Sequence, residues 1–303
     1  MTFELHLFQP PGFNRLNLRT SSGEINYYEA NPSFAETVIF FHGFGGGSSS
    51  YEWSKVYPAF SAEYRVLAPD LPGWGFSEHR AGEYTAQDYQ TAILEFIKAT
   101  CQRPVTVVAS SVVAAFCVTV ANQQPQIFER LIFMNPSGLE DFGKSYNGSF
   151  FSFASQVPFV NDFLYSQVIT TRASIRKFLE ERLFVQANRI SDEIVEAYFV
   201  SAQQKDGKEA AYSFLKGNFT ADLAESLPKL KVPTAILWGA KNTYAEPAIG
   251  ERLSLLSEKI SSFEVIADVG LTPQLELPGV TVAAVRRAMA KLSSTVAISE
   301  SRF

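Results

Sequence analysis

A chain of 303 residues, 46% hydrophobic and 19% charged, can bury a sizeable core and is excluded from the disordered and low-complexity classes. Its formal charge of −5, with basic residues scattered along it, excludes the clustered basic face that a nucleic-acid partner needs. Two cysteines, Cys101 and Cys117, make neither a disulfide framework nor a zinc site, and with only His6, His42 and His79 as histidines no metal or other cofactor is expected.

In chain order, the start MTFELHLFQPPGF lacks the basic residues and apolar run of a signal peptide, which points to a cytoplasmic protein. FNRLNLRT (13–20) and GEINYYEA (23–30) alternate around a serine turn and predict an antiparallel pair at a sheet edge. ETVIFFHG (36–43) predicts a buried strand that runs into the glycine-rich FGGGSSSYEW (44–53). A dinucleotide loop would need glycine where Ser48 stands. The glycines suit either a flexible turn or a loop that turns N–H groups towards developing negative charge. YRVLAPD (64–70) predicts the next strand.

TAQDYQTAILEFIKATC (85–101) predicts a helix opened by Thr85 and Asp88 in capping-box spacing, with Leu94, Phe96 and Ile97 on its apolar stripe. VTVVAS (105–110) is a third buried strand, and it bends at Ser110-Ser111 into VVAAFC. The apolar stretch 105–122 is interrupted by serines and a threonine, so no transmembrane segment is expected. LIFMNP (131–136) and TAILWG (234–239) complete the run of buried strands, and 247–260 and 281–292 carry helical periodicity. Continuously apolar strands imply helices on both faces, hence a mostly parallel, doubly wound α/β sheet.

Between Pro136 and Val232 the alternation stops. A stretch crowded with phenylalanine (142–166) precedes two helical segments, 173–183 and 191–204. The expected division is a core domain of 1–139 and 220–303, with a helical cap of 140–219 inserted after the sixth strand. The phenylalanines serve to pack this cap on the core, to line a ligand site, or both.

The combination of His42-Gly43-x-Gly45-Gly46, Asp70-x-Pro72-Gly73-x-Gly75-x-Ser77, the serine turn and the strand TAILWG resembles the α/β-hydrolase superfamily in its capped branch, from about Gly23 to Leu292. The resemblance implies an α/β-hydrolase fold with Ser111 at the nucleophile position and the backbone N–H groups of Phe44 and Val112 as oxyanion donors. Ala109 and Val113 stand where the nucleophile turn usually carries glycine. The acid position is filled by Asn242. GLTPQLELP (270–278) takes the place of the histidine segment, so Leu271 stands where the catalytic histidine is expected and Gln274 where a second one is. No histidine follows His79.

A serine hydroxyl without a base is a poor nucleophile at neutral pH. His42 is the possible alternative base; Lys241, Tyr244, Asp268 and Glu276 flank the altered positions, and Asp141 could supply an acid. Ser111 at the elbow argues against dehalogenase and epoxide-hydrolase chemistry, which uses aspartate there. Three functions are therefore expected in this order: a pseudo-hydrolase with a degenerate triad that binds a small, largely apolar ligand, an unconventional serine hydrolase acting on an ester or lactone through Ser111, and an interaction module that uses the cap. Nothing in the sequence sets the oligomeric state.

Overall fold

The computed structural model describes residues 8–143, 165 and 169–300, so most of the phenylalanine-crowded stretch lies outside the described residues. One eight-stranded sheet has the order β1-β2-β4-β3-β5-β6-β7-β8. Its members are β1 (Asn14–Thr20), β2 (Gly23–Ala30), β3 (Thr37–Phe41), β4 (Arg65–Pro69), β5 (Val105–Ser110), β6 (Phe128–Met134), β7 (Thr234–Gly239) and β8 (Ile260–Ile266). Strands β1 and β2 form the expected antiparallel hairpin, β2 joins β4 antiparallel, and every later pairing is parallel.

The sheet is covered on both faces, and alternate residues of one strand serve different cores. Ile39 and Phe41 of β3, with Val107 and Ala109 of β5, pack beneath α1 (Ala86–Thr100) and α2 (Ser111–Gln123). Val38, Phe40 and Val108 pack on the opposite face with Trp53, Tyr57, Phe60 and the helix Pro278–Glu300. Burying each such side chain contributes about 1.5–3 kcal/mol, which is why a central strand here tolerates no polar face. Helix α1 carries the expected capping box between Thr85 and Asp88. Its buried face is Tyr89, Ala92, Ile93, Phe96 and Ile97, and Leu94 lies at the margin.

After β6 come α3 (Arg172–Phe178), α4 (Asp192–Ala202), α5 (Lys208–Leu215) and α6 (Leu223–Ser226), all before β7. A separate apolar cluster joins Ile175, Leu179, Leu183, Ile194 and Tyr198 from this insertion to Tyr51 and Leu275 of the core. The helical periodicity across 247–260 holds only for α7 (Pro247–Ser254). Leu255 is 80% exposed, and Ile260 opens β8 by pairing with Thr234, a register that the helical pattern masks. The chain closes with α8 (Pro273–Glu276) and α9 (Pro278–Glu300). No described helix is long and apolar enough to cross a membrane.

Candidate functional site

From β3 the chain crosses to β4 on one side and then to β5 on the other, so the carboxyl ends of β3 and β5 diverge at a topological switch point, where ligands bind in such sheets. Phe41 pairs with Ala109, and His42-Gly43 therefore leaves the sheet beside Ser110-Ser111. The approach is close: a Cβ on Gly43 would lie 3.4 Å from Ser111 Cβ and 3.5 Å from Ser110 Cβ. Ser111 has φ 53°, a left-handed conformation that costs a non-glycine residue on the order of 1–3 kcal/mol. Nine buried residues of α2 hold it there, Val113 among them, so valine at the second glycine position is accommodated in this turn. Ser111 is half-buried, and its hydroxyl makes no hydrogen bond among the described residues.

Val112 lies in the first turn of α2, where N–H groups have no intrahelical acceptor. The Phe44 N–H donates no bond among the described residues, and its ring stacks on Trp74 at 4.7 Å. The Gly43 N–H, by contrast, is taken up by Glu52 at 3.0 Å. This carboxylate is 2% exposed, and its other oxygen accepts the Tyr198 hydroxyl of α4 at 3.0 Å. Burial pushes the Tyr198 phenol well up, so it remains the donor.

His42 is fully buried and both of its ring nitrogens are engaged. Leu71 N–H donates to Nε2 at 3.0 Å, which makes Nε2 the acceptor and assigns the proton to Nδ1, donated to Gly43 O at 2.7 Å. No ring nitrogen is left over for Ser111, which removes His42 as the possible alternative base. His79 is half-buried: its Nε2 bonds Gly75 O at 3.1 Å, and burial lowers its pKa.

Ser111, Asn242 and Leu271 line one cavity of ≈ 50 Å³. That exceeds the about 10–15 Å³ that one water needs. Phe44, Leu139, Phe178, Phe214 and Trp238 supply most of the remaining wall. The Asn242 Oδ1 accepts Tyr244 N–H at 3.0 Å, so this side chain folds back on its own turn. Tyr244 also lines the cavity, and burial pushes its phenol up to about 12, which keeps it a donor and not a base near neutrality. The Leu271 N–H donates to Leu183 O of the insertion at 3.0 Å.

Asn135, which the sequence reading passed over, connects these positions. It is 1% exposed with φ 47°; its Nδ2 reaches Leu271 O at 2.9 Å and its Oδ1 accepts Gly239 N–H at 2.8 Å. One amide thus joins the end of β7 to the loop that carries Leu271. Its only sequence signal is a polar residue at the end of an otherwise apolar strand.

The flanking acidic groups are structural. Glu276 is a fully buried carboxylate that accepts Gly270 N–H at 2.8 Å, Val185 N–H at 2.8 Å and Arg189 Nη1 at 3.0 Å. Asp268 pairs with Arg189 and with Lys241, which hold its carboxyl below the usual range. Asp141 accepts Gly138 N–H and Leu223 N–H, each at 2.8 Å, and so clamps the two ends of the insertion together. Burial raises its pKa from 3.8 to about 6.

The folded state therefore holds the Asp141 proton more tightly than the unfolded chain does. The stabilisation is complete below pH 3.8 and is lost as pH rises through about 6. The span corresponds to about 3 kcal/mol. Urea denaturation of wild type against Asp141→Asn should show a stability difference that changes across this window and is constant above it. A constant difference from pH 4 to pH 7 would contradict the clamp's titration.

Among the described residues no three His, Cys, Asp or Glu side chains cluster as a metal site requires. With this geometry in place, the comparisons with known proteins agree on the architecture. The sequence profile of the alpha/beta hydrolase fold matches residues 36–276. An uncharacterized hydrolase of Bacillus subtilis, YugF, is 25% identical over 237 residues, covering 77% of this chain and 83% of its own. The crystal structure of a serine hydrolase involved in carbazole degradation superposes with TM-score 0.76 at 21% identity, over 92% of this chain and 99% of the other. The naproxen esterase of Bacillus subtilis superposes with TM-score 0.74 at 20% identity, over 93% of each chain.

Proposed function

Because the chain belongs to the alpha/beta hydrolase fold family, we propose that it is a hydrolase-fold protein whose capped cavity binds a small, largely apolar ligand without efficient turnover. Residues 140–219 form the cap in this reading, and the ligand is ester-like in shape, as the hydrolase relatives suggest. One observation carries the proposal: Ser111, Asn242 and Leu271, which this reading takes as the nucleophile, acid and histidine positions, line a single cavity. Leucine moves no proton, and asparagine cannot stabilise an imidazolium by charge. The nearby histidine has both nitrogens committed elsewhere.

A second reading, an unconventional serine hydrolase, is favoured by the strained φ of Ser111 and the N–H groups of Phe44 and Val112. A fluorophosphonate probe separates the two. The proposal expects no Ser111-dependent labelling and no turnover of short p-nitrophenyl esters, together with saturable quenching of Trp238 by apolar ligands. Labelling and turnover that vanish in Ser111→Ala would overturn it.

A further inference from the structure

A second, smaller cavity of ≈ 20 Å³ adjoins the first and shares Phe44, Ser111, Leu183 and Leu271 with it. Its own wall is more polar and includes Glu52, Ser110, Thr272 and Gln274. Gln274 is 0% exposed, yet neither its Nε2 nor its Oε1 has a hydrogen-bond partner, and Ser110 Oγ is likewise unpartnered. Buried polar atoms in native proteins are almost always paired, so three orphans at one small recess call for a guest. The volume suits one water or one head group of similar size.

We propose that this recess seats the polar head of the ligand, and that the head is a neutral group that both donates and accepts hydrogen bonds, a carboxamide or an alcohol. The inference rests on the reading that the larger cavity takes the apolar tail. The Gln274 amide presents a donor and an acceptor on one planar group. A carboxamide meets both at once, and a hydroxyl meets either, with Ser110 Oγ available for the other. A ketone or ester carbonyl only accepts and leaves Gln274 Oε1 orphaned. A carboxylate also only accepts, and it would face Glu52, whose oxygens are already occupied by Gly43 N–H and Tyr198 O–H. Like charges in a water-poor recess repel strongly.

Nuclear magnetic resonance titrations of the isotope-labelled full chain with hexanamide, 2-heptanone and hexanoate test the assignment. Hexanamide is expected to bind at least tenfold more tightly than either of the others. Gln274→Leu should abolish that preference, weakening hexanamide binding more than 2-heptanone binding, and Gln274→Met should behave alike. The unliganded Gln274→Leu protein should melt at or above the wild-type temperature, since it loses orphaned polar atoms and keeps an apolar contact. Equal affinities, a preference for hexanoate, or an amide preference that survives both variants would overturn the inference. Binding of 2-heptanone without amide preference would leave the apolar-ligand reading standing. Failure of all three probes to bind would overturn both.

Discussion

Supplying together the two groups that the proposed reading finds absent, Asn242→Asp with Leu271→His, is expected to raise the turnover of short p-nitrophenyl esters by about 10²–10⁴-fold over wild type, the usual contribution of a positioned acid–base. The backbone at 271 is already fixed from two sides, by Leu183 O on its N–H and by Asn135 Nδ2 on its carbonyl. Its side chain lines the cavity into which Ser111 opens. An imidazole there inherits that position, and an aspartate at 242 adds the charge that steadies the imidazolium. Ser111→Ala in the same background should return turnover to the wild-type level. If the folded double variant gains nothing, Ser111 is not placed as a nucleophile, and the resemblance at this turn stops at backbone shape.

The second large effect concerns stability. Glu276→Ala is expected to cost about 3–5 kcal/mol, because it leaves a guanidinium and several N–H groups without their buried acceptor. At a few degrees per kcal/mol for a chain of this size, the melting temperature should fall by roughly 10 °C. Val185, Gln186 and Arg189 belong to the insertion, whereas Gly270 belongs to the loop after β8. Hydrogen exchange at 183–190 and at 270–276 should therefore accelerate together. A fall below 1 kcal/mol, or exchange confined to one of the two segments, would show that this carboxylate does not couple them.

The strands were legible wherever both faces are buried. ETVIFFHG, VTVVAS and TAILWG have no polar face to confuse the reading, and each forms its strand within one or two residues. That no histidine follows His79 was legible by counting, since no fold can move a residue the chain lacks. Strand β8 was hidden because its half-exposed pattern follows an amphipathic helix without a break in composition. Glu52 reads as an ordinary surface glutamate in SSSYEW. Its burial depends on Tyr198, 146 positions later, and no local pattern announces such a partner. Asn135 and Gln274 were obscure for the same reason: their meaning lies in backbone or cavity brought to them by distant segments.

The left-handed backbone at Ser111 is held by the packing of α2 against the sheet, whatever chemistry follows from it. A turn held by its core does not depend on the residues at 242 and 271 for its shape. Aspartate for Asn242 and histidine for Leu271 are each reachable through one base change from suitable codons. On the proposed reading the serine turn is an inheritance, carried along by the core it belongs to.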